Sequence, residues 1–164
     1  LPALIRKFHL AKLAQAGDWA GIARDAARFG PIPDDLQQAL GLPPHPPVPP
    51  RVLLWGTGRP RREFLHVDDM AAACLHIGLH TDSTALVNIG IGADLTIREL
   101  AEQVVQVVGY TGEIAFDPTK PDGAPQKLLD VSRLTDLGWR ANIDLPTGLK
   151  ATYDWYVMEG QKQC

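Results

Sequence analysis

Thr96-Ile-Arg-Glu99-Leu-Ala-Glu-Gln-Val-Val-Gln-Val-Val108-Gly109, followed by Glu113-Ile-Ala-Phe-Asp117, carries the clearest fold signal in the chain. Thr96 and Glu99 have the spacing of a capping box, which satisfies two of the orphan donors that open a helix. Ile97, Leu100, Ala101, Val104, Val105 and Val108 recur at helical spacing and form one apolar stripe. Gly109 stops the helix, and the apolar run 113–117 reads as a strand. Upstream, Val52-Leu-Leu-Trp55 is a short apolar strand closed by the turn Gly56-Thr57-Gly58. Helix and strand therefore alternate, and the class is α/β.

Working outward, residues 1–14 form a helix with Leu4, Ile5 and Phe8 on one face. Residues 18–29 form a short helix with Trp19, Ile22, Ala26 and Phe29 on one side. Asp34 or Asp35 caps another, and Gly41 ends it. The run 43–50 holds six of the 14 prolines and is expected to be extended polyproline II. Beyond the Trp55 strand, residues 64–67 and 85–89 read as two further strands. Asp68 or Asp69 caps a helix reaching about Leu79, with Met70, Ala73, Cys74 and Ile77 on its buried side. A Pro/Gly/Lys/Asp loop follows over 118–127, then a short helix over 132–137 ended by Gly138. Pro146 fits the first turn of a last helix presenting Leu149, Tyr153, Tyr156 and Val157.

Composition excludes several function classes. Sixteen Lys and Arg against 19 Asp and Glu leave a net charge of −3. That is a poor match for a protein that tracks phosphates along a nucleic acid. No run of about 18 apolar residues suggests a membrane span, and no leader pattern is evident, so the cytoplasm is the expected compartment. Cys74 and Cys164 make neither a disulfide framework nor a zinc site. His9, His45, His66, His76 and His80 show no ligand spacing, so no metal site is expected. The string Gly109-Tyr-Thr-Gly112-Glu-Ile-Ala115 resembles a dinucleotide loop but is inverted. A helix precedes it and a strand follows, whereas a phosphate loop needs the reverse order.

One segment is chemically dense. Arg59, Arg61 and Arg62 crowd behind the glycine turn beside Trp55. Guanidiniums offer a rigid, permanently charged fork that suits a diphosphate. An indole offers a flat face or an N–H donor to a sugar or base. The plain alternative is a solvated basic turn with Arg62–Glu63 or Arg62–Asp68 pairs. The Lys120-Pro-Asp122-Gly123 loop adds an ammonium and a carboxylate, or is an ordinary turn.

Taken together, these strings resemble the GDP-L-fucose synthase family of extended short-chain dehydrogenase/reductases. The resemblance rests on Trp55-Gly-Thr-Gly-Arg-Pro-Arg-Arg62-Glu-Phe-Leu-His-Val-Asp-Asp69, on Asn88-Ile-Gly-Ile-Gly92, on Lys120-Pro-Asp122-Gly and on Leu1-Pro-Ala-Leu-Ile-Arg-Lys7. It covers residues 1–14 and 51–158. It implies the C-terminal, substrate-binding portion of a Rossmann-type enzyme. That family converts GDP-4-keto-6-deoxy-mannose to GDP-L-fucose by epimerisation and reduction with NADPH. It also implies that the cofactor loop, the Tyr-x-x-x-Lys and the epimerisation groups belong to an N-terminal half outside this sequence, in keeping with a Leu1 start. No catalytic or cofactor-binding residue is then expected here, NADP(H) binds only in the complete enzyme, and this chain alone is expected to be inactive. By matching position, Lys7, Trp55, Arg62 and Asp122 bind the GDP-sugar, with Lys120 and Lys127 as weaker candidates. Arg62 holds the diphosphate, Lys7 adds charge and Trp55 packs near the nucleoside or sugar. Asp122 accepts from guanine N–H groups or a ribose hydroxyl. Implied partners are the GDP-sugar, the N-terminal half and a second copy in a homodimer, with no nucleic acid and no membrane.

The sequence divides into a first helix over 1–14, an inserted excursion over 15–50 and a substrate-binding portion over 51–164. The excursion is either a tolerated surface loop or a contact element for a partner. Alternative functions are a stand-alone nucleotide-sugar-binding module, a subunit pairing with a separate cofactor-binding chain, or another NAD-dependent nucleotide-sugar epimerase. If a cofactor sheet is missing, the segments 64–67 and 87–89 lose their neighbours, and the chain should self-associate or be marginally stable.

Overall fold

The computed structural model describes residues 1–45, 48–82 and 84–161, with the side chain of Gln161 left aside. Seven helices surround two small sheets among these residues. The helices are α1 (Pro2–Ala16), α2 (Trp19–Phe29), α3 (Asp34–Leu40), α4 (Val67–His80), α5 (Ile97–Val108), α6 (Ser132–Asp136) and α7 (Leu145–Gln161). The strands are β1 (Arg51–Trp55), β2 (Arg61–Arg62), β3 (Leu95–Thr96), β4 (Glu113–Asp117) and β5 (Gln126–Lys127). β1 runs parallel to β4, with Arg51 opposite Glu113 and Trp55 opposite Asp117. β2 lies between β3, antiparallel, and β5, parallel.

The sequence pattern of α5 is realised in full. Thr96 and Glu99 make both bonds of the capping box, and Gly109 closes the helix in the left-handed conformation. Such a cap contributes about 1 kcal/mol. Leu100, Ala101, Val104 and Val108 are buried against α1 and α7. Phe8, Leu10, Leu40, Val52 and Leu149 complete this main core, each fully buried. Burying a large apolar side chain contributes roughly 1.5–3 kcal/mol. Helix α7 presents Leu149, Tyr153 and Tyr156 inward as its spacing indicates.

Segment 15–50 shares this core. Ile22, Leu36, Leu40 and Leu42 are buried in it, and α3 packs on β1. Asp25 of α2, itself buried, accepts from Arg6 Nε at 2.8 Å and from the hydroxyl of Tyr156. That ties α2 to both α1 and α7. Tyr110 donates to the Pro50 carbonyl at 2.8 Å and so anchors the end of the proline run. Pro43-Pro44 is a cis peptide in a turn, not polyproline II. The same expectation at Pro46 and Pro47 lies outside the described residues.

Several local expectations are corrected. Residues 64–66 and 85–89 form no strand, because no neighbouring strand among the described residues offers them a ladder. Val67 instead opens α4. The cap of α4 is His66, whose ring accepts from the Asp68 N–H, and α3 follows Pro33 with no side-chain cap. Trp19 is exposed. On α4 only Asp69 and Ala73 are buried, while Met70 and Cys74 are exposed. Val67, Leu75, Leu79 and the neighbouring Leu86 also face out. A smaller second cluster, Ala73, Leu134 and Trp139, sits beneath this helix. Asp69 Oδ2 joins it by accepting from the backbone N–H groups of Asn142 at 3.0 Å and Ile143 at 2.8 Å.

Candidate functional site

The parallel strands β1 and β4 end side by side, and the Gly56 N–H donates to the Asp117 carbonyl at 2.8 Å. The loops that leave them, 56–60 and 118–125, meet. In open α/β sheets the carboxyl ends of strands are where ligands bind. The first loop turns through Gly56 (φ 81°) and Gly58 (φ 77°). A Cβ at Gly56 would overlap the Asp122 carboxylate, and one at Gly58 would overlap the Phe116 ring. Both close approach and left-handed backbone therefore require glycine there.

Asp122 latches the two loops together. The Thr57 backbone N–H donates to its Oδ1 at 2.6 Å, and the Thr57 hydroxyl donates to its Oδ2 at 2.8 Å. The backbone bond, then the hydroxyl, then the charge of Arg59 hold this carboxyl below the usual carboxylate range. Asp122 is thus already engaged by the protein, with lone pairs left over for a second donor.

Trp55 ends β1 with 59% of its surface exposed, and Lys120 Nζ lies 5.6 Å from its ring centroid. A large exposed aromatic ring, with a cation over one face, stands at the strand terminus. Lys7 reaches the same strand from α1, donating to the Leu53 carbonyl at 3.4 Å.

The three arginines divide their work. Arg61 is structural: it donates to Asp94 Oδ1 at 2.7 Å and to the Asp94 carbonyl at 3.0 Å. Gln126 donates to the other oxygen at 2.5 Å, and with Arg61 it holds the Asp94 carboxyl below its ordinary range. Arg59 is exposed at the loop tip. Arg62 uses Nη1 on the carbonyls of Arg61 at 2.7 Å and Ala124 at 2.8 Å. Its Nε and Nη2 donors have no acceptor among the described residues, which leaves one planar edge of the fork open. Lys127 stands opposite Arg62 in the β2–β5 register. The Arg62–Glu63 and Arg62–Asp68 pairs of the alternative reading, a solvated basic turn, are not among the ion pairs of the described residues. Glu63 instead accepts from the N–H groups of Ile91 at 2.5 Å, Gly92 at 2.7 Å and Leu129 at 3.1 Å.

Trp55, Arg62, Lys120, Asp122 and Lys127 therefore gather on the paired loops and short strands around the end of β1, with Lys7 along that strand. Two contributors escaped the sequence reading. Thr57 is the group that Asp122 holds. Arg98, in the first turn of α5, donates Nη2 to the Thr57 carbonyl at 3.3 Å and lies 4.0 Å over the Phe116 ring. The signal for Arg98 was a cation at a helix N-terminus, where the dipole disfavours it.

The other motifs resolve simply. Gly109 closes a helix and Gly112 precedes β4, so this pair offers no helix N-terminus to a phosphate. His9 Nδ1 bonds the Tyr153 hydroxyl at 3.0 Å. Among the described residues, no group of three or more His, Cys, Asp or Glu side chains could hold a metal ion. No helix there is long and apolar enough to cross a membrane.

Comparison with known proteins gives a consistent result. The model of the NAD dependent epimerase/dehydratase family matches residues 36–90. The chain is 51% identical over 117 residues to GDP-L-fucose synthase of Escherichia coli (strain K12), covering 66% of this chain and 36% of that protein. It is 43% identical over 157 residues to GDP-L-fucose synthase 1 of Arabidopsis thaliana, covering 96% and 38%. Among solved structures, MlghC, a GDP-mannoheptose C4 reductase from Campylobacter jejuni with NADP bound, matches with a TM-score of 0.72 at 33% identity. That match covers 95% of this chain and 44% of the reductase. The chain thus spans little more than a third of the length of these curated relatives.

Proposed function

We propose that this chain, whose residues 36–90 match the NAD dependent epimerase/dehydratase family, forms the GDP-sugar-binding part of an enzyme of the GDP-L-fucose synthase type. The observation that carries this reading is Arg62, whose Nη1 holds the 118–125 loop through the Ala124 carbonyl while its Nε and Nη2 donors have no acceptor among the described residues, on the glycine turn that follows the exposed Trp55 at the end of a parallel strand pair. A guanidinium edge with two parallel donors matches two oxygens of a diphosphate. Lys127 and Lys120 add charge on either side. The Trp55 face accommodates the nucleoside or the sugar. Asp122 fixes the loop that carries these groups and keeps acceptor capacity toward a guanine N–H or a ribose hydroxyl. Lys7 adds positive charge along β1.

In this reading the complete enzyme epimerises GDP-4-keto-6-deoxy-mannose and reduces it with NADPH. The relatives from E. coli and Arabidopsis bear the name of that activity, and the MlghC structure pairs NADP with a reductase of a GDP-sugar. The described residues contain no strand, glycine loop and helix in the order a dinucleotide phosphate requires. The role assigned to this chain is to bind and orient the nucleotide-sugar.

Titration of the chain with GDP-mannose and, separately, UDP-glucose tests the proposal, read by calorimetry or by backbone NMR shifts. Saturable binding that favours the guanine nucleotide supports it. Equal affinity for both, or none for either at millimolar concentration, refutes it. The chain is also expected to oxidise no NADPH, so turnover by contaminant-free protein would count against its assignment as a binding part.

A further inference from the structure

We infer that Arg98 is a positioning residue for the nucleotide-sugar face, acting through Thr57; this rests on the proposed function. Arg98 occupies the first turn of α5, where the helix dipole works against a cation. A local rule broken in this way marks a group placed for another purpose. Its guanidinium lies over the Phe116 ring, Cζ 4.0 Å from the centroid. From there Nη2 donates to the Thr57 carbonyl at 3.3 Å. The backbone of the same turn of helix grips the loop as well. The Ile97 N–H donates to the Pro60 carbonyl at 2.9 Å, and the Arg98 N–H to the Gly58 carbonyl at 3.0 Å.

Thr57 is consequently held from two sides. Arg98 takes its carbonyl, and Asp122 takes its N–H and hydroxyl. The Phe116 ring is the shared floor, since it packs beneath both Arg98 and Gly58. Trp55 and Arg62 flank this loop, so its rigidity sets the distance between the aromatic face and the open guanidinium edge. Pre-ordering such a pair raises affinity by lowering the cost of ordering it on binding. Lysine is a poor substitute, because it has neither the planar stacking surface nor the fork.

Two readouts test this on the intact chain: amide hydrogen exchange at Thr57 in the free protein, and GDP affinity by NMR titration. Arg98→Met should speed Thr57 exchange and weaken GDP binding by about tenfold, the effect of one lost anchoring contact. Arg98→Lys should fall between the two in both readouts. Thr57 exchange unchanged in Arg98→Met overturns the positioning role whether or not GDP binds. Affinity restored in Arg98→Lys while Thr57 still exchanges fast also overturns it, since charge alone would then suffice. If the unsubstituted chain shows no GDP-dependent shifts, the nucleotide reading itself falls, and with it the purpose assigned to Arg98.

Discussion

Replacing Arg62 by methionine should lower the affinity for GDP by about 5–30-fold, a loss of about 1–2 kcal/mol. The magnitude follows from the geometry. Arginine has five N–H donors, and the two on Nη1 face the carbonyls of Arg61 and Ala124. The three on Nε and Nη2 remain for a ligand. A hydrogen bond to a charged group contributes about 1.5–3 kcal/mol when shielded from water. This face is open, so the pair together is discounted to the lower range. Loss of the Ala124 contact costs little, because that carbonyl is exposed to water. A thermal melt of the variant should therefore stay close to the parent. NMR titration with GDP and with GMP separates the diphosphate from the rest of the nucleotide. Arg62→Met should weaken GDP more than GMP and draw the two affinities together. Arg62→Lys should be intermediate, keeping charge without the fork. GDP affinity within twofold of the parent, or equal losses for GDP and GMP, would show that Arg62 does not meet the diphosphate.

Asp69→Ala should destabilise the chain by about 2–4 kcal/mol, because the part-buried N–H groups of Asn142 and Ile143 lose the buried carboxylate that accepts from both. Circular dichroism should show a fall in melting temperature of roughly 5–15 °C, and a change within 2 °C would contradict the assigned role. The Asp122 carboxyl is depressed by Thr57, so its stabilising contribution is present above the unfolded-chain value and is lost as pH falls through the folded value. A carboxyl NMR titration should give a midpoint below about 3.9; an ordinary midpoint would mean that the Thr57 latch is not populated. Leu75 and Leu79 are 67% and 78% exposed on α4, so the chain should self-associate through this face. Leu75→Glu/Leu79→Lys should shift sedimentation toward monomer, and unchanged association would place the contact elsewhere.

How much was legible depends on the range of the interaction. The capping box of α5, its stop at Gly109 and the inward face of α7 are local, and each appears where the spacing puts it. The segments 64–67 and 85–89 have strand-like composition, but a strand exists only against a neighbour, and the described residues place none beside them. β2, β3 and β5 are two residues each, too short to show a period. Helical spacing puts Cys74 inside, yet α4 buries only Asp69 and Ala73. Asp69 reads as a surface cap until the segment around Asn142 folds back onto it. At the site, residue types identified Trp55, Arg62 and Asp122 as unusual. Their hydrogen-bonding partners did not follow from type. Arg62 binds loop carbonyls, Glu63 gathers backbone N–H groups, and Asp122 takes Thr57, all across contacts remote in sequence. Arg98 stands in plain view in the first turn of a helix, and the Phe116 ring beneath it and the Thr57 carbonyl it reaches, both remote in sequence, explain its place.

The central claim is that the paired loops at the end of β1 and β4 form a nucleotide-sugar face. Backbone NMR of the isotopically labelled chain, titrated with GDP-mannose, tests it most directly. Saturable shifts should concentrate on Trp55, Thr57, Arg62 and the 120–127 loop, with the Trp55 indole N–H among the largest. Shifts confined to other surfaces, or none at millimolar ligand, would contradict the claim.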